Sequence, residues 1–141
     1  MKSQKVRDWM TANPITIAPN TSLGQANRLM KENSIRRLPV VDHGKLVGIV
    51  TLGDLREASP SDATSLSIFE IHYLLAKLTV EDIMSKKPVT VAPDATIYGA
   101  AQIMLQNKIA GLPVVDQGKV VGIITESDIF RMVVQEGNEQ S

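Results

Sequence analysis

The sequence predicts an α+β fold made of two β-α-β-β-α repeats packed about a pseudo-twofold axis, with an extra helix between them. Two observations carry this. Sliding the chain by 74 residues aligns positions 6–55 with 80–129 without a gap, and 23 of those 50 positions are identical; self-similarity at a fixed spacing marks a duplicated structural unit. Within each copy, one stretch with apolar residues at helical spacing is followed by two short β-branched runs around a turn, which alternates helix and hairpin signals. The repeats are placed at 1–58 and 80–136, with an inter-repeat segment at 59–79 and a frayed tail at 137–141.

Each element has a local reason. Pro14 and Pro19, and Pro88 and Pro93 in the second copy, bracket Ile15-Thr16-Ile17 and Val89-Thr90-Val91, which predicts a strand of about three or four residues. Ser22 and Thr96 suit N-caps. The helix after Ser22 carries Leu23, Ala26, Leu29 and Met30 on one face; its counterpart carries Ile97, Ala100, Ala101, Ile103, Met104 and Leu105, a wider arc that predicts deeper burial. Asn33 and Asn107 are placed as helix stops, since Asn tolerates left-handed backbone angles. Asp42-His43-Gly44-Lys45 and Asp116-Gln117-Gly118-Lys119 lie between apolar runs and predict hairpins. A second helix is expected after Thr51 and Thr125, with Ser59-Pro60-Ser61-Asp62 breaking the first of these. Gly48 and Gly122 are expected to let their strand approach the facing helix. Ser67-Ile68-Phe69-Glu70 has capping-box spacing and opens the inter-repeat helix. That helix shows two apolar stripes, Ile68, Ile71, Leu75, Leu78 and Phe69, Tyr73, Ala76, which fit either a second subunit or a place between the chain's own halves. A copy of about 50 residues is too small to bury a sheet face alone, so two packed copies, with two clefts between them, are expected.

Composition bounds the function. Of 141 residues, 43% are hydrophobic and 21% charged, enough apolar matter for a core. Fifteen basic against fifteen acidic residues leave no net charge, which argues against nucleic acid or an anionic membrane as partner. Without cysteine there is no thiol nucleophile, disulfide or Cys-ligated zinc. His43 and His72 lack metal-ligand spacing; the former reads as a solvated turn residue and the latter as packing. No apolar run reaches the roughly 20 residues of a bilayer span, and Met1-Lys2-Ser3-Gln4-Lys5 leads into no apolar signal segment, so a cytoplasmic location is expected. With no nucleophile–base pair, no catalytic residue, metal site or required cofactor is expected, and the chain is read as a non-enzyme.

The residues able to hold a ligand are Thr51-Leu52-Gly53-Asp54 and Thr125-Glu126-Ser127-Asp128, equivalent stretches at a strand-to-helix junction. Thr followed by an acid three residues on is a near relative of the capping box, sufficient by itself to explain both. The same geometry offers backbone N–H groups to a phosphate. A carboxylate there can accept two hydrogen bonds from vicinal ribose hydroxyls, and capping does not exclude ligation.

The ordered set Val-x-Asp-x-Met, Pro, short strand, helix, Leu-Pro-Val-Val-Asp, Gly-Ile-Ile/Val-Thr and x-x-Asp, present twice, resembles the cystathionine β-synthase (CBS) domain. Two copies look like a CBS pair, or Bateman module, and Asp54-Leu55-Arg56-Glu57-Ala58-Ser59-Pro60 with the following helix looks like the bacterial acetoin-utilisation type. The resemblance implies adenosine-nucleotide binding (AMP, ADP, ATP or a relative) in clefts between the repeats. It places Asp54 and Asp128 on the ribose, with Thr51, Thr125 and Ser127 as hydroxyl partners, Gly53 replacing the serine in the first copy. It assigns Thr16-Ile17-Ala18 and Thr90-Val91-Ala92 to the adenine pocket. Arg36 or Arg37 then reaches phosphate, where the planar guanidinium fork suits bidentate contacts. Their counterparts are Ala110 and Gly111, with Lys108 a weaker assistant, so the clefts are expected to be inequivalent. The implied function is ligand sensing, passed to a separate effector protein or across a homodimer; a purely oligomerising module with empty clefts is the alternative.

Overall fold

A computed structural model describes residues 4–59 and 65–140. The chain divides into two compact units, one of residues 1–14 with 89–141 and the other of 15–88. Both are α+β, each with a three-stranded sheet.

The unit of residues 15–88 begins with Ile17, whose strand expectation shrinks to a single parallel bridge with Val40. Two prolines close by, neither with an N–H, leave little to pair. Helix α2 (Leu23–Asn33) is capped by the Ser22 hydroxyl, which accepts from the Gln25 N–H, and buries Leu23, Ala26 and Met30. It ends at Asn33 as expected, but the left-handed angle falls one residue later, on Ser34, and the Asn33 amide donates to the Leu29 carbonyl. Strands β2 (Arg37–Asp42) and β3 (Lys45–Thr51) form the expected hairpin. His43 and Gly44 both have positive φ, the signature of a two-residue primed turn whose twist matches the strands. Helix α3 (Leu52–Ala58) ends at the Ser59 cap; residues 60–62 of the expected breaker lie outside the described residues. Helix α4 (Ile68–Lys77) is capped by Ser67, and Leu75 and Leu78 pack on the core of this unit. Phe69 and Tyr73 remain exposed, so the second stripe is uncovered within the chain's own unit. The short helix α5 (Val80–Ile83) and strand β4 (Ser85–Lys86) close the unit, β4 pairing antiparallel with β3.

The other unit repeats this plan. Helix α1 (Val6–Trp9) and strand β1 (Thr11–Ala12) correspond to α5 and β4, and β1 pairs antiparallel with Gly122 and Ile123. Helix α6 (Ile97–Asn107) precedes the hairpin of β5 (Gly111–Asp116) and β6 (Lys119–Thr125). Val91 makes the single bridge, to Val114. Lys108, not Asn107, takes the left-handed cap. Helix α7 (Glu126–Gln140) runs through Gly137, so the expected frayed tail is helical as far as Gln140. The wide apolar arc of α6 is not deeper burial: Ile97, Ala100 and Met104 are buried, whereas Leu105 is 81% exposed. Trp9 is buried in the core of this unit.

The lead-in segments are exchanged relative to the sequence repeats. The opening stretch of the first copy builds the unit that holds the rest of the second, and the opening stretch of the second builds the unit that holds the rest of the first. Each enters identically. The Gln4 and Leu78 carbonyls accept from Ile97 and Leu23, the first N–H groups of α6 and α2, and Val6 and Val80 are fully buried.

Gly48 and Gly122 sit where these lead-in strands come closest, and the neighbour is that strand, not a helix. A Cβ on Gly48 would meet the Met84 thioether and lie 2.9 Å from the Ser85 carbonyl oxygen. Gly48→Ala is therefore expected to destabilise the fold by about 1–3 kcal/mol in urea unfolding. At Gly53 the same methyl would only touch the Thr51 hydroxyl at 3.6 Å, and Gly53→Ala is expected to stabilise by up to about 1 kcal/mol.

Candidate functional site

The two Thr-x-x-Asp stretches lie where a central strand runs into a helix. In the first, the Thr51 N–H donates to Asp54 Oδ2 (2.9 Å) and the Asp54 N–H donates to Thr51 Oγ1 (3.1 Å), a complete capping box. Among the described residues, the bonds of this carboxylate fall on Oδ2. In the second, the Thr125 N–H donates to Asp128 Oδ2 (2.8 Å) and its hydroxyl donates to the same oxygen (3.3 Å). Asp128 Oδ1 is held by the Arg131 guanidinium, one helical turn on. Asp128 is only 4% exposed, the buried charged residue among those described, and a buried carboxylate needs such partners. Capping thus accounts for one oxygen of each aspartate, while the second oxygen has different company in the two units.

The basic pair lies beside the first box. Arg37 pairs across the sheet with Thr51, and the Arg36 carbonyl accepts from the Leu52 N–H (2.8 Å), so Arg36, Arg37, Thr51 and Asp54 share one end of the β2–β3 hairpin. The Arg36 side chain is exposed. The matching end of the other unit brings together Ala110, whose carbonyl accepts from the Glu126 N–H (3.0 Å), with Thr125, Ser127 and Asp128. Ser127 is exposed. Lys108 and Ala110 border an open, mainly apolar depression of about 480 Å³ with Leu105, Glu126, Ile129 and Phe130.

The residues expected to line an adenine pocket, 16–18 and 90–92, divide by burial. Ile17 and Val91 are core residues. Their main-chain groups are spent on the neighbouring strand: the Ile17 N–H donates to the Pro39 carbonyl and its carbonyl accepts from Val41, with Val91, Pro113 and Val115 repeating the pattern. Thr16, Ala18, Thr90 and Ala92 are exposed, and the Ala18 and Ala92 carbonyls accept from Thr21 and Ala95.

Arg131 is the residue that sequence reasoning missed. Its signal was present: an arginine three residues after an acid on a helix faces it. His43 lies in its turn, 2.9 Å from Asp42, and His72 is exposed on α4, so the packing role expected for His72 does not hold. Among the described residues no group of side chains is arranged to hold a metal ion, and no helix is long and apolar enough to cross a membrane.

Known proteins resemble this chain along almost its whole length. The CBS domain family model matches residues 6–61 and 80–135. An inosine-5'-monophosphate dehydrogenase of Korarchaeum cryptofilum is 37% identical over 128 residues, 90% of this chain; the chain spans only 24% of that enzyme. Among solved structures, the AcuB protein of Vibrio cholerae superposes with a TM-score of 0.79 at 34% identity, covering 99% of this chain and 98% of its own. The CBS domain pair of MJ0100, crystallised with 5'-methylthioadenosine and S-adenosyl-L-methionine, gives 0.79 at 34%, covering 96% and 99%. CBSX2 in complex with AMP, a protein of Arabidopsis thaliana, gives 0.78 at 32%, covering 96% and 99%. With both sequence repeats matched, and the same fold recovered over nearly every residue, the chain belongs to the CBS domain family as a tandem pair.

Proposed function

We propose that this CBS pair is a regulatory module that binds an adenosine nucleotide, AMP, ADP, ATP or a relative such as S-adenosylmethionine, and passes the change in packing to a partner. The observation that carries the reading is the Asp54 carboxylate. It is fixed by its capping bonds on Oδ2, and its Oδ1 has no recorded partner among the described residues. Ribose hydroxyls are the donors that suit it, and Thr51 stands beside it. Support comes from the relatives crystallised with AMP and with S-adenosylmethionine. Arg36 and Arg37, at the same end of the hairpin, are the groups for phosphate, with Lys108 the weaker candidate in the other unit. The exposed atoms of Thr16, Ala18, Thr90 and Ala92 would face the base, and Ser127 and Thr125 complete the second set around Asp128. The module performs no catalysis in this reading; coupling is limited to the difference in ligand affinity between two states.

A ligand held only by the folded chain raises stability by about 2.7 kcal/mol at a hundredfold excess over Kd. AMP, ADP or ATP is expected to raise Tm. Asp54→Ala is expected to weaken binding about tenfold or more in calorimetry, since two charge-assisted hydrogen bonds are lost. Arg36→Ala is expected to change the preference among mono-, di- and triphosphate. No Tm shift with any adenine nucleotide, S-adenosylmethionine included, defeats the reading.

A second reading, assembly, is favoured by a specific observation. Phe69 and Tyr73 on α4, and Tyr98, Leu105 and Phe130 on α6 and α7, are exposed, with Phe69 at 80%; contiguous apolar faces of this kind mark interaction sites. A homodimer is expected in sedimentation velocity, and Leu105→Asp or Phe69→Asp, whichever lies at the interface, is expected to shift the protein to monomer. A wild-type monomer at high concentration would defeat it.

A further inference from the structure

The duplication supplies its own control for each charged side chain, and the sharpest difference lies at the two aspartates. Asp128 and Asp54 are equivalent by the 74-residue offset, and the residue three further on is Arg131 in one copy and Glu57 in the other. Arg131 closes on Asp128 Oδ1, whereas among the described residues the bonds of the Asp54 carboxylate all involve Oδ2. The Arg131 side chain is 64% exposed and the Asp128 side chain 6%. The pair therefore consists of an anchored, buried acid and a cation that can swing into water without leaving a cavity.

A carboxylate has two oxygens, and the Thr125 N–H and hydroxyl already occupy Asp128 Oδ2. Any diol presented to Asp128 must use Oδ1 and so compete with the guanidinium. Resting on the nucleoside reading above, we infer that Arg131 is an internal competitor for the ribose at Asp128. Asp54 takes a ribose freely, and the Asp128 site fills only when Arg131 is displaced. The two sites then differ in affinity because of this contact as well as the arginines at 36 and 37. A half-exposed ion pair sets the size of the effect: worth about 0.2–1 kcal/mol, it corresponds to about 1.5- to 5-fold in affinity.

The test is calorimetric titration of the full chain with AMP, adenosine and 2',3'-dideoxyadenosine, on a background of Asp54→Asn so that only the Asp128 site is read. Arg131→Gln is expected to tighten AMP and adenosine about 1.5- to 5-fold. Arg131→Lys, which keeps a cation in place, is expected to return affinity toward that of the parent. Dideoxyadenosine, lacking both hydroxyls, is expected to show no gain, and the gain is expected to vanish when Asp128→Asn is added, closing a double-mutant cycle. Circular dichroism of each variant verifies the fold; should Arg131→Gln not fold, Arg131→Met supplies the same reading. If AMP or adenosine binds the Asp54→Asn protein and Arg131→Gln leaves its affinity unchanged or weakens it, the competitor assignment is overturned and the nucleoside reading stands. Absence of binding by wild type and every variant overturns both. An equal gain with dideoxyadenosine overturns the assignment too, since Arg131 would then act on something other than the diol.

Discussion

The structure rests on the antiparallel pairing of a two-residue strand with the central strand of a hairpin that lies in the other sequence repeat. A hairpin alone is marginal in water and needs a third strand and a covering helix. Each copy supplies its own covering helix, but neither supplies the third strand in sequence order. β1 pairs Thr11 and Ala12 with Ile123 and Gly122, and β4 pairs Ser85 and Lys86 with Ile49 and Gly48. Closeness at this seam is why the central strand carries glycine there, with the Met10 and Met84 side chains filling the space a Cβ would take. The same lead-ins supply carbonyls to the first N–H groups of α6 and α2, which would otherwise be orphan donors at a helix start. Sheet, helix cap and core thus hang on one short segment per unit. The helices α3 and α7, which carry the aspartates, begin where those braced central strands end.

Duplication separates what the fold demands from what it tolerates. Core positions match closely: Val40 and Val114, Leu38 and Leu112, Met30 and Met104 are all buried in equivalent places. The outer face of the helices does not match. Asn27, Lys31 and Arg56 in one unit stand where Ala101, Leu105 and Phe130 stand in the other, and Lys31, Arg56, Leu105 and Phe130 are all exposed. Since the polar version folds, the apolar version is no requirement of packing. Its cost in solubility has to be offset by something outside the unit, which is the physical basis for reading it as a surface that meets a partner.

The elements legible in sequence were those whose signal is local. Hairpins announced by Gly44 and Gly118, caps at Ser22, Thr96 and Ser67, and the capping acid at Asp54 needed only neighbouring residues to specify them. β1 and β4 were illegible because two residues carry no periodicity, and their pairing is set by a strand far away in the chain. Conversely, the β-branched run at Ile17 reads as a strand, yet it sits between prolines and meets its neighbour at one residue. Leu105 misled for a related reason: an apolar arc reports that a face will be covered, not by what. At the site, the candidate residues at each hairpin end could be found from the repeat, because strand and helix meet there. Ile17 and Val91 could not be separated from Thr16 and Thr90 by pattern alone, since alternation says which residues share a face but not which face is buried.

In the proposed function, capping and ligation cooperate through conformational entropy. A free aspartate samples several rotamers, and ordering it on a ligand costs free energy that weakens binding. In both units the Thr N–H fixes the carboxylate before any ligand arrives, at 2.9 Å for Asp54 and 2.8 Å for Asp128. The cap stabilises the helix by about 1 kcal/mol and, in doing so, aims the remaining oxygen. A motif explained entirely by helix capping is for that reason also a preorganised acceptor. What a site of this kind can do is then decided by the occupant of one oxygen, which differs between the copies through a single side chain three residues along the helix.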